Sequence, residues 1–373
     1  MSMMPKGVEP NLSLVEKIAN AVLYEGYILY PYRASAVKNR QRWNFGALCP
    51  QSYSLAQKGT EAWTMQTECI VSGGERTTLD VKVRFLHLLS REVRAPIADS
   101  GARMVDDSDQ ETLGSIVDSH FQAVESLEVG GQIFQTWQEA SEREVSVSVL
   151  NLSELSAQPQ RRTFSFPSQR ELELLRDADG QVVVVIVRQQ QAIEGSIEIA
   201  AEHAGEKLSK ITVHILNVTP LADAEQKSRD DALLRSFVST HTILNVRDGE
   251  FISLLEPPEA LREKAAACHN AGTWPVLVGE EGARDCLLSS PIILYDYPQI
   301  APESAGDLFD GAEIDEILTL RIMTLTDEEK REMRGVDARA RQILERTETL
   351  PAEQLMKMHG VMRSSRPHQE NEQ

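Results

Sequence analysis

The stretch from Glu171 to Pro220, ELELLRDADGQVVVVIVRQQQAIEGSIEIAAEHAGEKLSKITVHILNVTP, decides the fold class. Val182–Val187 is an unbroken apolar run of strand length, far short of the ~18 residues that a membrane helix needs. Asp179-Gly180 just before it is a turn signal, because glycine reaches the positive φ of a tight reversal. Ile193, Ile197 and Ile199 mark a second strand, and Ile211, Val213 and Ile215 a third, with His214 on its opposite face. Strands close in sequence and joined by short polar links favour antiparallel pairing. We therefore expect an α+β fold whose centre, roughly residues 140–220, is an antiparallel β-sheet or sandwich.

On the N-terminal side, REVSVSVLNL places Val145, Val147 and Val149 in alternation with polar residues. ECIVSG and TTLDVKVRFLHLLSRE read as a hairpin around Gly73-Gly74, with Leu79, Val81, Val83 and Phe85 on one face. Ser13 and Glu16 have capping-box spacing and predict a helix over 13–24, with Leu14, Ile18 and Val22 sharing a face. GYILYPY reads as extended, since Pro31 biases Tyr30 away from helix.

Beyond Pro220 the pattern turns into a mixed α/β portion. DALLRSFVSTH reads as helix, and TILNVRDGEFISLLEPP as a hairpin around Asp248-Gly249. Pro257-Pro258 opens a further helix, and WPVLVGE and SPIILYDYP read as strands. Thr326 and Glu329 cap a helix that Gly335 should end, Asp337 caps another, and Pro351 and Gly360 bound a third. The expected organisation is an N-terminal α+β region over 1–140, a β-rich and mixed domain over 141–300, a helical extension over 301–363 and a disordered tail over 364–373.

A length of 373 residues suits two or three domains. Hydrophobic content of 41% with 25% charged residues fits a soluble globular protein. The net charge of −19 opposes general nucleic-acid binding, because phosphate would be repelled over most of the surface. There is no run long enough for a membrane span, and the first residues lack the apolar core of a secretory signal. Cys49, Cys69, Cys268 and Cys286 are sparse and form no CxxC, which suits a reducing cytoplasm.

The phosphate-loop, dinucleotide, HExxH, GxSxG and EF-hand patterns are absent, which lowers the expectation of an enzyme, although triads and metal sites can be scattered. Cys268, His269 and Cys286 are the best candidates for a transition metal, since thiolate and imidazole suit zinc, nickel or iron. Each cysteine also fits a small buried hydrophobe. Asp106–Asp109 reads as a solvated acidic loop without calcium-loop spacing.

The local charge reverses in YEGYILYPYRASAVKNRQRWNFGALCP, Tyr24–Pro50. The first 50 residues carry six Lys/Arg against three Asp/Glu in this strongly acidic chain. Tyr30, Tyr32, Arg33, Lys38, Arg40, Arg42 and Trp43 have the composition of a protein-binding hot spot, with rings that bury area and guanidinium groups that grip carboxylates. Packing of the tyrosines into a domain core, with the cations solvated, is the competing expectation.

Two stretches, VLYEGYILYPYRASAVKNRQRWNFGALCP and AEIDEILTLRIMTLTDEEKREMRGVDARARQILER, resemble segments of an uncharacterised bacterial protein family associated with [NiFe]-hydrogenase gene clusters. They cover both ends, about a fifth of the chain. The resemblance implies a role in making or supporting a metalloenzyme and transfers no functional residue. The leading expectation is thus a cytoplasmic accessory protein that binds a hydrogenase subunit or assembly factor. Ile314, Ile317, Leu318 and Ile322 would offer it a second contact. One alternative is an enzyme that holds an anionic substrate with Arg33, Lys38 and Arg40 and uses Asp296 or His269 as acid–base groups. The other is a metallochaperone using Cys268, His269 and Cys286.

Overall fold

The computed structural model describes residues 9–23, 45–97, 110–299, 322–336 and 338–349. In chain order the elements are α1 (Glu9–Leu23), α2 (Gln51–Ala56), β1 (Thr64–Pro96), α3 (Gln110–His120), β2 (Phe121–Val124), β3 (Ser126–Val129), β4 (Gln132–Gln135) and β5 (Trp137–Asn151). There follow α4 (Leu152–Ala157), β6 (Gln160–Phe166), β7 (Gln169–Arg176), β8 (Val182–Gln190), β9 (Ile193–Gly205), β10 (Leu208–Asn217) and α5 (Arg229–Leu233). The last are β11 (Val238–Ile252), α6 (Arg262–Ala266), β12 (Trp274–Leu277), β13 (Cys286–Ser290), α7 (Asp327–Val336) and α8 (Ala338–Thr349). β3 and β4 pair with each other, and the other eleven strands share one antiparallel sheet. The class is α+β, as the repeated short strands imply.

β1 is the spine of the sheet. At 33 residues it is several times longer than the five or six of an ordinary strand, so a single partner cannot satisfy its backbone. Along one edge it pairs in turn with β10, β5 and β2, and along the other with β11 and then β8. The expected boundary at 140–141 therefore falls within a continuous sheet.

Two turn signals do not reverse the chain. Gly73 lies opposite Gly249, and the next paired residue on β1 is Thr78, opposite Arg247. The hairpins expected at Gly73-Gly74 and Asp248-Gly249 are instead two irregularities facing each other where long strands bend. Asp248 takes φ +54° there. Thr77 plugs the crossing: its Oγ1 accepts from the Gly74 N–H at 2.8 Å and donates to the Asp248 carbonyl at 2.7 Å. Any side chain on Gly249 would put its Cβ 2.7 Å from Thr77 Cγ2 and 2.9 Å from the Ser72 carbonyl oxygen.

The main core lies on the face of β1 that carries Leu79, Val81, Val83 and Phe85, with Ile193, Ile197, Ile199, Ile211, Val213 and Ile215 from β9 and β10. Phe85 meets Phe237 at 4.7 Å between ring centres, and Phe164 of β6 lies 5.4 Å from Phe237. α1 packs Val15, Ile18, Ala19 and Val22 onto Ile243, Val276 and Leu288 of the opposite face. It spans Glu9–Leu23, so Ser13 lies inside the helix and not at its cap, and Glu16 bonds Lys82 at 3.3 Å. The valine run of β8 is apolar throughout because both faces are covered: Val182, Val185 and Val187 by α3, and Val184 and Ile186 by the β3–β4 hairpin.

Three further expectations change. DALLRSFVSTH is helix only to Leu233 and enters β11 at Val238. SPIILYDYP leaves the sheet at Ser290, since Pro291 has no N–H for a ladder; the strand is Cys286–Ser290 just before it. Val149 breaks the alternation of β5: it sits at a bulge with φ +58° and faces solvent. At the C-terminal end, Thr326 and Glu329 do cap α7, with Glu329 N–H to Thr326 Oγ1 at 3.2 Å and Thr326 N–H to Glu329 Oε2 at 2.8 Å. Gly335 lies inside its last turn. Asp337 and the expected helix from Pro351 to Gly360 fall outside the described residues. Among the described residues, no helix is long and apolar enough to cross a membrane.

Candidate functional site

Alternation along β1 creates a polar belt. Residues two apart share a face, so the series Leu79, Val81, Val83, Phe85 continues as His87, Leu89, Arg91 and Val93. Phe85 ends the main core, and Val93 belongs to the second core under β3 and β4. Between them the partner strands are polar as well. Arg143 lies opposite Phe85, Ser141 opposite His87, and Glu139 opposite Leu89 on β5. Gln190 lies opposite Leu89 and Arg188 opposite Arg91 on β8.

Most charges in this belt are paired. Glu139 bridges two arginines, with Oε2 at 2.9 Å from Arg188 Nε and Oε1 at 3.4 Å from Arg91 Nε. Arg188 also reaches Glu173 at 2.8 Å. Burial opposes the Arg188 charge, but Glu173 and Glu139 outweigh it and leave its pKa raised. On the other face of the strands, Arg170 holds Asp118 with two bonds of 2.9 and 2.6 Å, and Arg94 adds a third at 2.6 Å. Chiefly through Arg170, this keeps the Asp118 carboxyl below the usual range.

Arg143 is different. It donates to Gln190 Oε1 at 2.6 Å and stacks 4.7 Å over the Phe166 ring, with no carboxylate partner among the described residues. Its Nε is buried without a hydrogen bond. Burial lowers its pKa, though a guanidinium stays charged at neutral pH. His87 beside it is fully buried, and neither ring nitrogen makes a hydrogen bond of ordinary geometry. Burial first, and the Arg143 charge second, push its pKa down to about 4, so the ring is neutral at pH 7. A cleft of about 440 Å³ opens along Leu89, Ser141, Gln190, Arg188, Gln169, Arg170 and Glu171.

The seven residues expected to bind a partner, Tyr30, Tyr32, Arg33, Lys38, Arg40, Arg42 and Trp43, lie outside the described residues, as do Ile314, Ile317, Leu318 and Asp106–Asp109. Ile322 is described and is buried. The flanks of the basic stretch are fixed: α1 ends at Leu23, and the Phe45 and Gly46 carbonyls accept from Ser239 and Thr240 N–H at 2.9 and 3.1 Å.

The candidate metal ligands occupy different surroundings. Cys286 is buried in the core under α1, where its Sγ accepts from Asn245 Nδ2 at 3.0 Å. Cys268 and His269 lie on the loop after α6, which is fastened to β1. Glu68 Oε2 accepts the His269 N–H at 2.8 Å, and Gln66 Nε2 donates to the His269 carbonyl at 2.7 Å. Burial pushes both the Cys268 and Cys286 thiols up to about 11, so both are protonated at pH 7. Among the described residues, no group of three His, Cys, Asp or Glu side chains is placed to hold a metal ion.

The acid–base candidates are also apart. Asp296 accepts from Ser253 Oγ at 2.5 Å and from the Leu277 N–H at 2.8 Å, which pins the chain after β13 to the edge of β12. A Ser–His pair missed in the sequence lies between β11 and β13: Ser290 Oγ is 3.1 Å from His241 Nε2, and His241 Nδ1 is 2.6 Å from the Ser239 carbonyl. Both residues are fully buried, and Ser290 Oγ also accepts from the Ile292 N–H, so the pair joins two strands.

No family model matches the chain, and no curated protein matches it. Among solved structures, a weak alignment is to the Salmonella SPI-1 type III secretion injectisome secretin InvG in the open gate state. It has 8% identity, covers 64% of this chain and 60% of that one, and has a TM-score of 0.11, too low to carry any argument.

Proposed function

We propose that this is a cytoplasmic accessory protein that acts by binding another protein through the stretch around Tyr30, Tyr32, Arg33, Lys38, Arg40, Arg42 and Trp43. The observation that carries the reading is a contrast of charge. Residues 24–44 hold Arg33, Lys38, Arg40 and Arg42 against Glu25 alone, in a chain of net charge −19. An acidic partner would be drawn to that stretch and repelled elsewhere. The described residues on either side of it are Leu23, the last of α1, and Phe45, whose carbonyl accepts from the Ser239 N–H at 2.9 Å.

Binding is favoured over turnover because the carboxylate of Asp296 has structural work and His269 sits on a different loop. Asp296 is bonded to Ser253 and Leu277, and the His269 backbone is held by Glu68 and Gln66 on a separate loop. The resemblance to the hydrogenase-cluster family makes a hydrogenase subunit or assembly factor the first partner to test. The test is co-purification from a native host with Arg40→Glu and Arg42→Glu combined, after circular dichroism has established that the variant is folded. Partner recovery should fall about tenfold or more, since two charges are reversed. Unchanged recovery from a folded variant would refute the assignment.

A further inference from the structure

We propose that β6 is an open docking edge that takes an extended, acidic segment of a partner protein as an added strand. This surface is separate from the stretch 24–44 and goes beyond the function proposed for it. β6 pairs with β9 on one side and, among the described residues, with no strand on the other. The direction of its peptide groups follows from β9. Glu194 gives its N–H to Thr219 Oγ1 at 2.9 Å, and its carbonyl accepts from the Val218 N–H at 3.1 Å, so its backbone faces away from β6. Ser165 is the residue opposite Glu194. It therefore makes no ladder bonds to β9, and alternation along an antiparallel pair extends this to Thr163 and Arg161. The N–H and C=O groups of these three residues point outward, and all three residues are exposed.

The side chains on this edge select the occupant. Residues 155–170 carry Arg161, Arg162 and Arg170 and no Asp or Glu, in a chain of net charge −19. Asp118 holds Arg170, and Arg161 reaches Glu198 at 3.5 Å in an exposed pair. Arg162 is exposed and has no carboxylate partner among the described residues. An incoming strand with carboxylates meets attraction here, and main-chain bonds to Arg161, Thr163 and Ser165 hold it. Phe164 and Phe166 are half-buried on the face that carries Arg162, so apolar side chains at alternate positions of the added strand pack beside their rings. The sheet's other outer strands would repel the same ligand, since β5 carries Glu139, Glu142 and Glu144, and β7 carries Glu171 and Glu173. A second copy fits less well, because pairing β6 with itself gathers both copies' Arg161 and Arg162 on one short ladder.

The experiment uses the full chain and a fluorescent heptapeptide of alternating glutamate and valine, read by anisotropy. The same peptide with lysine for glutamate should bind at least about tenfold more weakly. Two further peptides are N-methylated, one on every glutamate and one on every valine. An added strand turns only one of these sets of N–H groups to β6, so one peptide should lose about tenfold in affinity and the other should not. Thr163→Pro removes an outward N–H, leaves the ladder to β9 intact and blocks the incoming strand; it should fold by circular dichroism and bind about tenfold more weakly. If Thr163→Pro does not fold, the two N-methylated peptides decide the matter on the unaltered protein. The variant combining Arg40→Glu and Arg42→Glu should bind the peptide unchanged, which separates this edge from the stretch 24–44. Equal binding of the two charges, equal effects of the two methylations, undiminished binding by folded Thr163→Pro, or loss of binding in the Arg40 and Arg42 variant would each overturn the proposal. So would a mass that halves on Thr163→Pro in light scattering, which would assign the edge to a second copy.

Discussion

Replacing Gly249 with alanine should jam the crossing of β1 and β11. The added Cβ would lie 2.7 Å from Thr77 Cγ2, 3.2 Å from Val246 Cγ2 and 2.9 Å from the Ser72 carbonyl oxygen. The first two contacts can yield by side-chain movement, but the third is backbone in a paired strand and cannot. Overpacking of this kind costs about 1–3 kcal/mol. With a urea m-value of about 3 kcal/mol/M for a chain of this length, the midpoint should fall by about 0.3–1 M. Thr77→Ser isolates the contribution of the plug. Serine keeps the hydroxyl that bonds Gly74 and Asp248 and removes only the methyl group, at about 1 kcal/mol. In that background Gly249→Ala should be milder by about 0.5–1 kcal/mol, a coupling that a double-mutant cycle resolves. The assay is urea denaturation of all four proteins followed by circular dichroism. A neutral Gly249→Ala, or strict additivity of the two changes, would show that the crossing is not packed as described.

Gly195→Ala should destabilise by a similar 1–3 kcal/mol, because its Cβ would enter the rings of Phe164 at 2.3 Å and Phe237 at 2.7 Å; thermal melting checks it. Val149→Gly should raise stability by up to about 1 kcal/mol, since a β-branched residue at φ +58° is strained and its exposed side chain contributes little packing. A lower urea midpoint for that variant would contradict the strain. His87 and His241 both have folded pKa values of about 4, below the ordinary 6.5, so the unfolded chain takes up their protons first as pH falls. Their stability is therefore complete above about pH 6.5 and drains away towards pH 4, by up to ~3 kcal/mol each. His87→Leu should leave the urea midpoint at pH 7.5 nearly unchanged and reduce its fall between pH 6.5 and 4; an unaltered pH profile would count against a buried neutral ring at that position.

The centre of the sheet could be read from sequence because its signals are local. Asp179-Gly180 does reverse the chain between β7 and β8, and the isoleucines of β9 and the alternating Ile211, Val213 and Ile215 of β10 do face the core. The misreadings came where the same signal has two physical uses. Gly73-Gly74 and Asp248-Gly249 supply the backbone freedom of a turn, and that freedom also serves a bend within a strand; only the partner some 170 positions away decides between them. The polar belt was half legible. HLLSRE closes the second arm of the expected hairpin, and counting by twos from Phe85 puts His87 and Arg91 on the core side. That Arg91 would find Glu139 while Arg143 would find only Gln190 and Phe166 depends on the registers of β5 and β8, which no local pattern encodes.

The length of β1 also bears on how the protein is made. Over Thr78–Leu86 one edge of β1 is completed only by β11, whose last residue, Ile252, emerges from the ribosome long after Pro96. At synthesis rates of about 5–20 residues per second, the ribosome needs roughly 10–30 s to cover that interval. Throughout it, Leu79–Phe85 is a hydrophobic ribbon with an open side, a ready substrate for a nascent-chain chaperone. Slowing translation before codon 238 should therefore lower the yield of native protein more than the same pause placed after codon 252.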